Sequence, residues 1–306
     1  MRLAVRIHQA GMSFAQLQAI WQEAERLGYD GATLFEVLSA PALEPWTALS
    51  ALTATTERLI AIPLVLSNTY RHPALLAKMA ASLDQLSGGR LVLGIGAGGG
   101  RSDHQAFSIP WRKIEERAAR LEDAIRIMRF LWSGADDAFE SKYYGTITGP
   151  GRPAPAQLGG PAVLVGGHGE RHLLRSVARV GDLTNMEIDL EPKTWEMRKR
   201  LLGRYCHEEG RDPGELSFTH NATVIIGETD LEVQAGVERY MDAQGLSLGQ
   251  ARQRLAHAVV GKPEECAERL QDHRARGMSW LFLLFPDLPD LGSLQLFGER
   301  VLPAFQ

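Results

Sequence analysis

Eight times along the chain a short apolar run that reads as a strand is followed by a longer amphipathic run that reads as a helix, and few folds accept that rhythm. Leu3–His8, Ala32–Val37, Leu59–Ser67 and Arg90–Gly96 read as the first four strands, with helices expected over Ser13–Leu27, Pro45–Thr56, Pro73–Leu86 and Trp111–Trp132. Ala162–Val165, Asp182–Met186, Leu216–Ile226 and Ser279–Phe285 read as the second four. Their helices are expected over Glu170–Val180, Pro192–Glu209, an interrupted 230–256 joined by Pro263–Arg276, and Leu291–Phe305. The third strand, LIAIPLVLS, is apolar almost throughout, as a strand buried on both faces of a parallel sheet must be. Eight units without a linker-like shift in composition favour a (β/α)8 TIM barrel over a doubly wound sheet, as a single domain over residues 1–306. Residues 133–160, rich in Gly, Pro and Tyr, break the beat; they read as an insertion after the fourth unit with a hairpin at Lys142–Thr148.

Composition narrows the function. The 306 residues are 44% hydrophobic and 23% charged, an ordinary globular balance that excludes disorder. A net charge of −4 argues against nucleic-acid binding, which calls for a basic patch. No apolar run approaches the ~20 residues of a membrane span, and the charged start MRLAVRIH does not read as a signal peptide. Two cysteines, Cys206 and Cys266, give no disulfide framework, so a reducing cytoplasm is the expected compartment.

In a barrel the chemistry lies just after the strands. His8, Glu36, Asn68, Gly96–Gly100 and Gly166–Gly169 fall there. Gly94-Ile-Gly96-Ala-Gly98-Gly99 matches G-x-G-x-x-G, but the dinucleotide reading is declined: Arg101–Pro110 reads as a loop, Glu115 and Glu116 fall inside a helix, and the motif is in the fourth unit. It reads instead as a strand end stripped of side chains so that a flat ring can approach, or as a flexible loop. Val165-Gly-Gly-His-Gly169 leads into a helix, where exposed N–H groups and the helix dipole suit a phosphate; a plain tight turn is the alternative. His104 beside Asp103 reads as a solvated loop pair, and His220 and Asn221 as hydrogen-bonding groups inside the barrel. His168 and His172 lack further ligands, so no metal is expected.

The run Asn68-Thr-Tyr-Arg-His-Pro73…Lys78…Asp84-Gln-Leu-Ser-Gly-Gly-Arg90-Leu-Val-Leu-Gly-Ile-Gly-Ala-Gly98 resembles the bacterial luciferase-like monooxygenase superfamily, which includes oxidoreductases using the deazaflavin coenzyme F420. Gly28-Tyr-Asp-Gly31, Arg117…Leu121-Glu122…Leu131-Trp132 and Val165-Gly-Gly-x-Gly…Gly181-Asp182 extend the resemblance over nearly the whole chain. It implies a barrel, often dimeric, with a flavin-type ring near Asn68, Gly96, Ala97 and Gly98. It places the phosphate on Gly166 and Gly167 with His168 beside them, and a non-prolyl cis peptide within Pro63–Val65. F420 is the implied cofactor, with FMN, served by a separate reductase, as the alternative.

The resemblance also exposes a departure. F420-dependent members that oxidise alcohols or sugar phosphates carry an acidic residue followed by a catalytic His at the end of the second strand. Here that pair is Glu36-Val37. Simple alcohol dehydrogenation therefore lacks its usual base, and Glu36 or His8 is the candidate acid/base group. The expected activity is hydride transfer between F420 and a small organic substrate, hydrophobic if Val37, Leu38, Phe107, Ile109 and Trp111 line the pocket. An FMN-dependent monooxygenase is the alternative, and a non-catalytic cofactor-binding protein the alternative from another class.

Overall fold

The computed structural model describes residues 1–167 and 169–306. Its strands are β1 (Arg2–Arg6), β2 (Gly31–Leu34), β3 (Ile60–Pro63), β4 (Leu66–Ser67), β5 (Val92–Gly96), β6 (Phe139–Ser141), β7 (Gly145–Ile147), β8 (Ala162–Gly166), β9 (Leu183–Ile188), β10 (Ser217–Ile226), β11 (Val259–Gly261) and β12 (Trp280–Leu284). The helices are α1 (Phe14–Leu27), α2 (Pro45–Thr53), α3 (Pro73–Ser87), α4 (Arg101–Ala106), α5 (Ile114–Ser133), α6 (Leu173–Val180), α7 (Pro192–Glu208), α8 (Asp230–Gln244), α9 (Leu248–Arg254), α10 (Pro263–Ala275) and α11 (Gly292–Arg300).

The sheet runs β3-β2-β1-β12-β10-β9-β8-β5-β4, all parallel, and an Ala61–Leu91 bridge draws β3 to β5 and closes the barrel. With β3 and β4 as two halves of one strand, this is the (β/α)8 barrel. Two hydrophobic clusters fill it. The larger lies between strands and helices around Trp21, Trp195 and Phe297. The smaller is the barrel interior: Ala4, Ile62, Val92, Leu164, Leu183, Trp280 and Phe282.

Much of the motif behind the family resemblance works at the end of the barrel away from the rim. Arg90 donates to the Ser87, Leu59 and Thr53 carbonyls, pinning the start of β5 to α2 and β3. Buried Asp84 receives the Gln157 N–H and side-chain amide, tying α3 to the segment before β8. Asp30, just before β2, accepts the Leu3 N–H of β1 at 2.7 Å. Asp182, just before β9, does the same for Val163 of β8 at 2.8 Å. Each carboxylate thus caps the free N–H at the start of the preceding strand.

Several readings change. Leu59–Ser67 is two strands, because the chain turns at a cis Leu64–Val65 peptide, within the stretch the resemblance indicated. Arg101–Pro110 is not a loop: its first six residues form α4, which a glycine-rich approach and a six-residue length hid from any periodicity test. The helix expected from Glu170 begins at Leu173. The hairpin lies at Phe139–Ile147, earlier than read, and β11, three residues pairing only with β10, has no sequence signature.

Candidate active site

Side chains alternate along a strand, so Gly94 and Gly96 share the inward face of β5 with Val92, and Gly166 shares that of β8 with Leu164. What these glycines make room for is Val65. A Cβ on Gly166 would come within 2.7 Å of both Val65 methyls, one on Gly96 within 3.1 Å, and one on Gly94 within 3.2 Å of Val65 and far inside contact distance of the Pro63 carbonyl. The bare wall inferred from sequence is therefore first of all a socket for Val65, which the turn after Leu64 lifts into the barrel mouth.

Above this socket is a cavity of about 470 Å³, lined by Val65, Ser67, Tyr70, Gly96–Gly100, Arg117, Gly166, Gly167 and Leu173, with Glu36 and Val37 on its β2 side. Three glycines there carry positive φ: Gly98 at 89°, Gly100 at 69° and Gly167 at 127°. A Cβ on Gly98 would meet the Ser67 and Thr69 hydroxyls at 2.9 Å, and one on Gly167 the Leu173 side chain at 2.4 Å.

A hydrogen-bond chain closes one side. The His104 ring lies 2.9 Å from the Gly100 carbonyl through Nδ1 and 2.8 Å from the Thr69 hydroxyl through Nε2. A carbonyl only accepts, so Nδ1 carries a proton and Nε2 meets the Thr69 hydroxyl, which is itself hydrogen-bonded to the Ser67 hydroxyl at 2.6 Å. Asp103 accepts the Leu38 N–H and the Ser39 hydroxyl, locking the loop after β2 to α4. The Ser39 hydroxyl, with the backbone N–H groups, holds its carboxyl below the usual range. Arg117 donates to the Gly98 carbonyl and stacks 3.9 Å over Trp111. Burial lowers its pKa, and no carboxylate pairs with it among the described residues.

A second cleft, about 960 Å³, opens on the same rim over the ends of β1, β9, β10 and β12, with Arg6, His8, Asp189, Thr223, Leu284 and Phe285 in its walls. His8 is exposed there, its ring 5.1 Å from that of Phe35.

A family model described as luciferase-like monooxygenase matches residues 1–279. The chain belongs to that family. It is an oxidoreductase of the luciferase-like kind, and curated relatives agree. An F420-dependent glucose-6-phosphate dehydrogenase of Microbacterium testaceum is 34% identical, over 92% of this chain and 90% of the relative. An FMNH2-dependent dimethylsulfone monooxygenase of Pseudomonas putida is 32% identical, over 85% of this chain and 78% of the relative. Among solved structures, monooxygenase RslO1 from Streptomyces bottropensis superposes with a TM-score of 0.84 at 22% identity, each chain fully covered, which shows the fold.

Within this luciferase-like barrel the residues singled out from sequence fall into three groups. Gly96, Ala97, Gly98, Gly166, Gly167 and Glu36 converge on the smaller cavity. Asn68 lies behind it, its side-chain amide donating to the Tyr144 hydroxyl of the inserted hairpin at 3.1 Å. His8 is on the larger cleft, and His168 lies outside the described residues. The Glu36 carboxylate, 2% exposed, binds Arg71 and accepts the Ser67 N–H at 2.6 Å. His104 and Asp103 are buried, not solvated. His220 faces outward to Trp195 and His273, and only Asn221 bonds inside the barrel, to Asn185 and Met186. Of the apolar residues offered as pocket lining, Val37 lines the smaller cavity, while Trp111 is the Arg117 stacking partner. The charged residues Arg71, Arg117 and Arg6 were missed; Arg71 and Arg117 fall within segments that carry the resemblance, the one signal that pointed at them.

Proposed function

We propose that this chain transfers a hydride between coenzyme F420 and a small organic substrate, with its ring bound in the smaller cavity and the substrate in the adjoining cleft. The observation that carries this reading is the Val65 platform. An apolar side chain is held at the barrel mouth by glycine walls, under a cavity within the ~300–1,000 Å³ range of small-molecule sites. A flat ring fits such a floor. Gly96, Ala97 and Gly98 would lie along the ring edge, with Asn68 behind them. The backbone at Gly166 and Gly167, which lines the cavity, would receive the phosphate. The cofactor, when bound, supplies the carbon centre that gives or takes hydride; the chain positions it and keeps water out.

The proton is assigned to His8. Glu36 is engaged by Arg71 and the Ser67 N–H, so its carboxylate orients the β4 end of the cavity. The His8 imidazole stands exposed in the cleft, where a substrate can reach it. The relatives named above support both F420 and reduced FMN. The Gly-Gly-x-Gly signature after β8 favours F420, and an FMN monooxygenase fed by a separate reductase is the second reading. A homodimer in the cytoplasm completes the proposal; no helix among the described residues is long and apolar enough to cross a membrane.

Titrating the apoprotein separately with F420 and FMN, followed by cofactor fluorescence, tests the assignment. Saturable binding of F420 at least tenfold tighter than FMN is expected. The reverse order selects the monooxygenase reading, and binding of neither overturns both.

A further inference from the structure

The larger cleft has a feature that the hydride-transfer reading does not use. Arg6 ends β1 on the same face as Ala4, so its side chain rises through the barrel interior into the cleft. Its Nη1 is buried with no hydrogen-bond partner among the described residues. The acidic group it faces, Asp189 after β9, is already engaged: its two oxygens accept the Thr223 N–H at 2.8 Å and the Thr223 hydroxyl at 2.6 Å. Arg254 adds a second cation to the cleft wall, while His8 and His257 are the imidazoles near these groups. Burial lowers the Arg6 pKa and raises that of Asp189, so each charge is held in a poorly solvated place. A guanidinium is built to receive two oxygens of one oxyanion, and a buried donor without an acceptor is costly. Apolar side chains share the lining: Leu284, which pairs with Arg6 across β1 and β12, with Ile188 and Leu288.

We propose that the cleft takes an organic anion, its oxyanion received by the Arg6 guanidinium and its apolar body packed on Ile188, Leu284 and Leu288. This rests on the reading of the cleft as the substrate side of the barrel mouth, but its test does not depend on the cofactor. A carboxylate and a phosphate monoester offer the same oxyanion chemistry, and the experiment separates them.

Phenylacetate, phenyl phosphate and the neutral isostere phenylacetamide are the probes. Binding is read by thermal shift and calorimetry on the protein with and without bound cofactor. At least one anion is expected to bind ten times tighter than the amide. Which anion leads identifies the oxyanion. Arg6→Gln, which keeps length and polarity but not charge, should erase that preference while leaving cofactor affinity unchanged. Arg6→Lys should keep part of it, and serves if the Gln variant does not fold. Equal binding of acid and amide to the wild type, or a preference that survives loss of the Arg6 charge, overturns the inference. Failure of F420 and FMN to bind while the Arg6-dependent preference persists would instead sink the proposed hydride transfer and leave the anion site standing.

Discussion

Val65 occupies the place where a side chain of Gly166 would be: both valine methyls lie 2.7 Å from the Cβ that any other residue would put there. The two strands that meet at the barrel mouth therefore share one volume, and the sequence gives all of it to the valine. Gly166→Ala should overpack the site and cost ~1–3 kcal/mol, read as a lower midpoint in urea at unchanged slope. Val65→Ala in the same chain returns the space, so the double variant should be less destabilised than the sum of the singles by at least ~0.5 kcal/mol. Strict additivity would mean that Val65 is not what fills the socket.

Glu36 and His8 should separate by different readouts. Glu36→Gln leaves the Arg71 guanidinium, only 14% exposed, with the looser Glu44 carboxylate at 3.7 Å in place of its close, buried partner. Breaking a buried pair from one side costs about 3 kcal/mol or more, so the melting temperature should drop clearly. His8→Gln removes an exposed ring and should melt like the wild type, yet turn over ~10²–10⁴-fold more slowly if His8 carries the proton. Single-turnover rates with reduced cofactor decide it: wild-type speed in His8→Gln with a large loss in Glu36→Gln would move the proton to Glu36.

The barrel was legible because its evidence is repetitive. Apolar strands such as Val92–Gly96 and capped helices such as α1, with its Ser13–Gln16 box, each announce themselves locally. The glycines of the site were legible as positions but not as reasons. Gly94, Gly96 and Gly166 point at Val65, some 30 to 100 residues away in sequence, and no spacing rule encodes that contact. His104 was misjudged for a related cause. Its partners, Thr69 and the Gly100 carbonyl, are supplied by β4 folding back against a six-residue helix too short to show a period. Arg6 reads in sequence as an ordinary polar end to a strand; only the tertiary structure shows that Asp189 is occupied by Thr223.

The Thr69 hydroxyl is the partner of His104 Nε2 among the described residues, and the ring is buried. Thr69→Val keeps the shape of the side chain and removes the hydroxyl, leaving Nε2 unsatisfied. A loss of ~1–3 kcal/mol is expected for an orphaned buried group. Thr69→Ser keeps the hydroxyl and should recover most of it. Chemical denaturation of the three proteins at neutral pH is the measurement; equal stability of the Val and Ser variants would remove the hydrogen-bond chain from the account of this wall.

Acid sensitivity should come from the opposite side of the sheet. His220 of β10 and His273 of α10 stack at 5.3 Å, and both His220 nitrogens and His273 Nδ1 are buried without partners among the described residues. Burial first, then the neighbouring ring and Arg276, push His220 down to about 3; burial and Arg276 push His273 down to about 4. Both rings are therefore neutral in the folded protein, while in the unfolded chain they take up protons near pH 6.5. The unfolded state binds more protons below that value, so stability falls as pH drops from about 6.5 toward 4. Each ring contributes a loss of about 1.4 kcal/mol per pH unit once well below 6.5, until the folded rings themselves titrate. His220→Phe keeps an aromatic ring against Trp195, removes two unpartnered nitrogens and should flatten this dependence by about half while raising stability at pH 5. Urea midpoints between pH 7.5 and 4.5 for the two proteins provide the comparison; parallel curves would show that the His220–His273 pair is not what makes the fold acid-labile.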